Sequence, residues 1–263
     1  MNMKTIYYFS GTGNTLYLAK FLKDNCSYNL VNIAEVLDKN IKIEGEVGFL
    51  FPIYAMGIPK LVEKFIKNIE IGDAKYIFAI ATCGGSGYGI PFQQINNILK
   101  NKSTKLNYSE YCHMPDNYLK LFKPLSESDA KIDLEKSSSK MKLISKNISN
   151  QQNSYNKSHI ILYPIFLLIY KFWRLGLKRT HKSFEVSKEK CITCKICEKV
   201  CPVDNIKLEN EIPSWQNSCE ECLACVNLCP TIAISCGKKS KHNMRYKNPY
   251  ILVTELIKQK SGS

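Results

Sequence analysis

The sequence predicts an α/β domain with a doubly wound parallel sheet, followed by a small α+β domain that binds metal. Two observations support this fold class. In the first half of the 263 residues, continuous apolar strands alternate with amphipathic helices, a pattern typical of a parallel sheet covered by helices on both faces. Nine of the twelve cysteines lie between Cys191 and Cys236. Such crowding in a reducing compartment indicates metal binding.

The first predicted unit is a strand, a glycine loop and a helix. Residues 4–9 are β-branched and aromatic, residues 10–15 read Ser-Gly-Thr-Gly-Asn-Thr, and apolar residues then recur at helical spacing from Leu16. The loop has neither the Gly-Lys-Ser/Thr of a Walker loop nor the spacing of a dinucleotide fingerprint. Its glycines and hydroxyls at a helix N-terminus suit one terminal phosphate, bound by backbone N–H and side-chain O–H groups.

Two similar units follow. Residues 47–51 and 76–81 are predicted strands, and each precedes a helix, the first starting at Pro59 and the second covering residues 92–99. Residues 106–114 form the last predicted strand region. In a doubly wound sheet of this kind, ligands bind at the carboxyl ends of the strands.

The sequence after residue 125 predicts a connector between the two domains. Residues 126–158 are rich in Ser, Lys and Asn, with a weak helical periodicity that predicts one or two solvated helices. Residues 159–177 are apolar apart from one histidine, Lys171 and Arg174. Pro164 and these charges make the stretch a poor spanning helix. A helix packed between the domains, a helix on a membrane surface with basic flanks, and a span all remain open.

The decisive motif is a repeated cysteine run, C-x2-C-x2-C-x3-C-P, at residues 191–202 and 219–230. Bacterial iron–sulfur proteins use this arrangement. Three closely spaced thiolates bind three corners of one cubane, and the fourth, placed before a proline, reaches the neighbouring cluster. Zinc ribbons use spaced cysteine pairs instead, which argues against two zinc sites.

Residues 184–236 therefore resemble the bacterial two-cluster ferredoxins. The resemblance implies two [4Fe–4S] clusters and assigns four ligands to each. The implied ligands of cluster 1 are Cys191, Cys194, Cys197 and Cys229, and those of cluster 2 are Cys219, Cys222, Cys225 and Cys201. Cys236 lies outside both runs and is interpreted as a spare thiol.

The first strand and its glycine loop resemble the FMN-phosphate loop of flavodoxin. That family holds the isoalloxazine with two further loops, which match residues 52–57 and 82–89. Tyr54 is the first candidate for stacking on the ring and Tyr88 the second, and the carbonyl of Gly57 would face the flavin N5. The FMN-binding residues that the resemblance implies are Ser10, Gly11, Thr12, Gly13, Asn14, Thr15, Pro52, Ile53, Tyr54, Gly57, Thr82, Cys83, Gly84, Gly85 and Tyr88.

The formal net charge of +14 is unevenly distributed. Residues 151–189 hold seven basic and two acidic residues, and residues 237–263 hold seven and one, whereas the cysteine region 190–236 is acidic. No zinc-finger spacing or aromatic-interleaved basic sheet accompanies the charge, so nucleic acid is not an expected partner. The basic segments favour acidic partners, such as acidic ferredoxins or flavoenzymes, or an anionic membrane surface.

Taken together, the two halves resemble the flavodoxin–ferredoxin fusion proteins of anaerobic bacteria. The resemblance implies a protein that couples bound FMN to two low-potential clusters and exchanges electrons with other redox proteins. A flavin-dependent oxidoreductase, fed through the clusters, is the alternative. The start of the chain shows no leader, so a cytoplasmic location is expected, with peripheral membrane contact left open. The predicted boundaries are 1–125, 126–183 for the connector, 184–236, and 237–263 for a basic tail.

Overall fold

The computed structural model of the protein describes residues 3–85, 89–156, 161–241 and 244–258. The first domain contains β1 (Lys4–Tyr8), α1 (Asn14–Cys26), β2 (Asn29–Asn32), α2 (Ile33–Val36), β3 (Lys42–Pro52), α3 (Lys60–Asn68), β4 (Glu70–Cys83), α4 (Pro91–Lys100), β5 (Tyr108–His113) and α5 (Glu127–Ser149). The rest contains α6 (Tyr163–Thr180), β6 (Phe184–Val186), α7 (Ile196–Lys199), β7 (Ile206–Glu209), β8 (Ile212–Trp215), α8 (Ala224–Asn227), β9 (Ile234–Cys236) and α9 (Val253–Lys258).

The strands of the first domain form one sheet. Within the described residues its order is β2-β1-β3-β4-β5, and every neighbouring pair is parallel. This is the flavodoxin-like order of a doubly wound sheet, which confirms the predicted fold class. Fully buried side chains such as Ile6, Phe49 and Phe78 fill the sheet faces, because helices cover both sides.

Two features of this domain escaped the sequence analysis. The edge strand β2 was not predicted, since its four residues include two asparagines and carry no clear alternation. The helix predicted within residues 126–158 is present as the single helix α5, but it is not solvated as expected. It buries Leu134, Met141 and Ile144 against the domain core. The first domain therefore extends to α5, beyond the predicted boundary at residue 125.

The second domain is small and α+β, as predicted. Strand β6 pairs antiparallel with β9, and β7 pairs antiparallel with β8. Each cysteine run contains a four-residue helix, α7 or α8. The rings of Phe184 and Trp215 stack 4.6 Å apart and join the two small sheets.

The segment predicted as a basic tail is packed against both domains over residues 244–258, which we call the strap. Arg245 donates to the carbonyls of Val226 and Ile234 in the ferredoxin-like domain, each at 3.0 Å. Ile251 and Leu256 are buried against the flavodoxin-like domain. The sequence analysis saw only the positive charge of this segment and missed the packing of its apolar residues.

Helix α6 follows α5 and packs against the first domain. Tyr170 and Leu177 are buried, and the Tyr170 hydroxyl donates to the Ile58 carbonyl at 2.9 Å. Arg174 forms an ion pair with Glu63 of α3. Among the residues that the structure describes, no helix has the length and apolar character needed to cross a membrane.

Candidate iron–sulfur centre

The structure brings the cysteines together in two groups of four. The first group, Cys191, Cys194, Cys197 and Cys229, lines one cavity, which we call the cluster 1 site. Three members come from the first run, and Cys229 is the last cysteine of the second run. Cys194 is exposed, so this cavity reaches the protein surface.

The second group, Cys201, Cys219, Cys222 and Cys225, lines another cavity, the cluster 2 site. Here Cys201 crosses over from the first run. Cys201, Cys222 and Cys225 are all buried, because the flavodoxin-like domain covers this side. The last cysteine of each run thus lies in the same site as the first three cysteines of the other run. This is the grouping that the ferredoxin resemblance implies.

Backbone N–H groups already point at three of the sulfurs. Asn205 N donates to Cys201 Sγ at 3.2 Å, and Glu221 N donates to Cys219 Sγ at 3.3 Å. At the cluster 1 site, Ala233 N donates to Cys229 Sγ at 3.3 Å. Such N–H···S bonds suit thiolate ligands, because they stabilise negative charge on sulfur.

Two further donors at the cluster 2 site have no conventional partner. The side-chain nitrogens Asn205 Nδ2 and Trp215 Nε1 are buried without a hydrogen bond in the described part of the chain, and both residues line this cavity. Buried donors are normally satisfied, and the sulfides and thiolates of a cubane would supply acceptors. The residues present therefore fit an iron–sulfur cluster.

Burial also governs the protonation of these cysteines. It raises the pKa of Cys219 to about 12 and the pKa values of Cys222 and Cys225 well above their ordinary range. Thiolates are the metal ligands, and a bound metal ion deprotonates its thiol. Cys219, Cys222 and Cys225 are thus thiols without iron, and iron binding must displace their protons.

Two glutamates between Cys219 and Cys222 anchor the cluster 2 site to the rest of the protein. Leu61 N, in the first turn of α3, donates to Glu220 Oε2 at 3.1 Å. Glu221 is buried between the ammonium group of Lys120 and the indole N–H of Trp173 on α6. Sequence reasoning missed these contacts. The one available signal was a pair of acids inside a cysteine run of a basic chain.

The glycine loop, residues 10–15, lies at the carboxyl end of β1 and leads into α1, as predicted. Gly13 has φ +105° and begins the helix without a side-chain cap. The loop is buried throughout, because the second domain lies directly on it. A Cβ on Gly11 would come 3.1 Å from the carbonyl oxygen of Cys222 and 3.4 Å from the Tyr54 hydroxyl.

The strap occupies the groups that would hold a phosphate. Asn248 N donates to the Thr12 carbonyl at 2.9 Å, and the Asn14 Oδ1 accepts from both Tyr246 Oη and Asn248 Nδ2. A Cβ on Gly13 would meet Asn248 Cβ at 2.9 Å. The remaining hydroxyls also have protein partners: Ser10 Oγ accepts from Gly13 N, Thr12 Oγ1 from Asn117 Nδ2, and Thr15 Oγ1 bonds to Thr82 Oγ1.

The first of the two ring loops, residues 52–57, is packed against α6. Tyr54 packs between Phe9 and Trp173, and its buried hydroxyl has no hydrogen-bond partner among the described residues. A Cβ on Gly57 would lie 2.4 Å from the Tyr170 ring. The other assigned positions lie in the same two loops. Pro52 and Ile53 precede Tyr54 in the first loop. In the second, Cys83, Gly84 and Gly85 follow Thr82; Gly84 lies beside Asp116, and a Cβ on Gly85 would meet nothing within 4 Å. Tyr88 lies outside the described residues.

In this arrangement, protein groups engage side-chain oxygens of the loop assigned to the FMN phosphate: Thr12 Oγ1 accepts from Asn117 Nδ2, and Asn14 Oδ1 accepts from Tyr246 Oη. The glycines of the assigned loops also permit close packing, of the ferredoxin-like domain at Gly11, of the strap at Gly13 and of α6 at Gly57.

Comparison with known proteins bears on both halves. Residues 184–207, which contain the first cysteine run, match the family described as 4Fe-4S binding domain. No curated protein matches the chain.

Solved structures align with the flavodoxin-like part. A protein of Bacteroides uniformis described as a flavoprotein aligns at 19% identity and TM-score 0.32, covering 43% of this chain and 92% of that one. A protein of Bacteroides eggerthii with the same description aligns at 19% identity and TM-score 0.29, covering 52% of this chain and 99% of that one. Rubredoxin oxygen:oxidoreductase of Desulfovibrio gigas aligns at 16% identity and TM-score 0.32, covering 57% of this chain and 37% of that one.

The fold and the cysteine site define a class: a flavodoxin-like domain joined to a ferredoxin-like domain. Its chemistry is redox electron transfer through iron and sulfur.

Proposed function

We propose that this chain binds two [4Fe–4S] clusters and serves as an electron carrier between other redox proteins. One observation supports the proposal above all others: the eight cysteines of the two runs form two groups of four, each around its own cavity. When bound, each cubane accepts and releases one electron at a time. The protein's part is to hold the thiolates, exclude water and set the reduction potential.

The two sites differ in exposure, which favours different roles. Cys194 and Ile192 are exposed at the cluster 1 site, so a partner protein can approach it closely. The cluster 2 site is buried against the glycine loop and α3. Electron transfer slows steeply with distance. A partner protein would therefore come closer to a cluster held by Cys191, Cys194, Cys197 and Cys229 than to one held at the cluster 2 site.

Metal analysis of anaerobically purified protein tests this proposal. We expect about eight iron and eight acid-labile sulfide per chain, as two Cys₄ cubanes require. Stoichiometric zinc without sulfide would exclude the proposal.

Single cysteine variants test the crossing of the runs. Cys229→Ala is expected to disrupt cluster 1, and Cys201→Ala cluster 2, as followed by electron paramagnetic resonance of the reduced protein. Cys83→Ala, in the flavodoxin-like domain, is the matched control and should retain both clusters. If Cys229→Ala spares the cluster bound by Cys191, the grouping is wrong.

Coupling of bound FMN to the clusters is a second candidate function. It is favoured by Gly13, which starts α1 without a side-chain cap, and by the unpartnered Tyr54 hydroxyl. It needs an arrangement in which the strap leaves the glycine loop. Flavin quantitation in the anaerobically purified protein tests it, and the alternative of a flavin-dependent oxidoreductase depends on the same result.

A further inference from the structure

Helix α6 presents two apolar faces, of which the protein covers only one. The inner face carries Tyr170, Trp173 and Leu177, which pack on the first domain and on Glu221. Ile165, Leu168, Phe172 and Leu175 form the opposite face, which we call the outer stripe. Their spacing of three and four residues places them on one side of the helix.

The outer stripe is strongly exposed. Its four side chains are 52%, 55%, 65% and 64% exposed, and Ile169 beside them is 43% exposed. Single exposed apolar residues are ordinary, but a continuous apolar patch marks a surface that binds something.

The charges around α6 indicate what it binds. Lys171, Lys178, Arg179 and Lys182 are all exposed, and the sequence has no Asp or Glu between residues 151 and 184. Three of these cations follow the stripe directly at the C-terminal end of the helix. A helix with large apolar side chains on one face and cations at its flank and end is typical of helices that lie in a membrane interface.

We propose that the outer stripe of α6 docks the protein on an anionic membrane surface. The apolar side chains enter the boundary between headgroups and acyl chains, and the four cations pair with lipid phosphates. An apolar protein partner would not require the cations, and a purely electrostatic partner would not require the stripe. The membrane surface uses both features. This proposal is independent of the cluster assignment.

Vesicle flotation of the anaerobically purified full-length protein tests the proposal. We expect the parent protein to float with vesicles that contain phosphatidylglycerol, and to bind pure phosphatidylcholine vesicles at least about tenfold less. High salt should weaken the binding because it screens the charges.

Two variants test whether vesicle binding depends on the outer stripe or on exposed apolar side chains in general. Leu168→Ser/Phe172→Ser should lower vesicle binding at least about tenfold, because both side chains leave the apolar face. Ile132→Ser/Leu143→Ser is the matched control, since these α5 side chains are 52% and 48% exposed but lie on another helix. The control should bind like the parent. Visible absorbance and iron content verify that each variant folds.

Several results would overturn the proposal. Failure of the parent to float with anionic vesicles is one, and equal flotation of the stripe variant is another. Concentration-dependent dimerisation that the stripe variant abolishes, without vesicle binding, would assign the surface to a second copy of the chain. Binding to an acidic redox protein but not to vesicles would assign it to a protein partner.

Discussion

The carbonyl oxygen of Cys222 lies against the α-carbon of Gly11, so that a Cβ on that glycine would come within 3.1 Å of it. A predicted cluster ligand and the predicted phosphate loop, more than two hundred positions apart in the sequence, are thus in direct contact. The contact is between backbones, which leaves no flexible side chain to yield.

Gly11→Val should therefore separate the two domains at the cluster 2 site. Overpacking of a close contact costs about 1–3 kcal/mol. We expect lower retention of cluster 2 during gel filtration, measured as iron per chain, with cluster 1 unaffected. Gly85→Val is the matched control, because a Cβ there meets nothing within 4 Å. Equal iron retention in both variants would contradict the packing argument.

The unpartnered donors at the cluster 2 site should raise its reduction potential, since hydrogen bonds to sulfur stabilise the more negative reduced state. Asn205→Leu and Trp215→Phe each remove one N–H. A hydrogen bond of about 1 kcal/mol corresponds to roughly 40 mV for one electron. We expect each variant to lower the cluster 2 midpoint potential by that order in an anaerobic redox titration. Cluster 1 in the same sample is the internal control, and an unchanged cluster 2 potential would refute the assignment.

Glu220 should make stability depend on pH. Burial raises its pKa to about 7, although the Leu61 N–H favours the charged form. A carboxyl whose folded pKa exceeds its unfolded value stabilises the protein below the unfolded pKa, and this contribution is lost as pH rises to the folded pKa. From pH 4.5 to 7, stability should fall by roughly 3 kcal/mol.

Glu220→Gln removes that titration. Urea unfolding of the variant, followed by tryptophan fluorescence, should show a flatter dependence between pH 5 and 7 than unfolding of the parent. A dependence as steep as the parent's would mean that another group is responsible.

Lys120 should contribute strongly to stability through Glu221. Both side chains are largely buried, so Lys120→Met leaves a buried carboxylate without its cation. Breaking a buried pair costs about 3–5 kcal/mol. Lys131→Met is the matched control, because its pair with Glu127 is exposed to solvent and contributes little to stability. Similar unfolding midpoints for the two variants would disprove the difference.

Removal of the strap should open the glycine loop. Truncation after Lys241 deletes Tyr246 and Asn248, which hold Asn14, and Asn248→Ala is the milder version. We expect FMN to bind the truncated protein at least about tenfold more tightly than the parent, as measured by quenching of flavin fluorescence. Thr12→Asp in the truncated protein is the control and should abolish binding by repelling the phosphate. Equal affinity of parent and truncated protein would show that the strap does not control this site.

Local patterns explain what the sequence could predict. Continuous apolar strands identify β1, β3 and β4, and the cysteine runs carry the ferredoxin resemblance, which implies that Cys201 joins the second run. The rest depends on contacts between distant parts of the chain. Glu220 meets Leu61 across 159 positions, and Tyr246 meets Asn14 across 232. No local periodicity encodes such contacts, which is why α5 was interpreted as solvated and the strap as a basic tail.

The strap follows both domains in the sequence and binds each of them, through Arg245 on one side and Asn248 on the other. During synthesis, the strap contacts therefore form last. In a chain loaded as proposed, iron reaches the cluster 2 cysteines freely only before this closure, whereas the cluster 1 cavity stays accessible afterwards. Oxidative loss of cluster 2 could be repaired only by parting the domains, so the two clusters would differ in lifetime as well as in position.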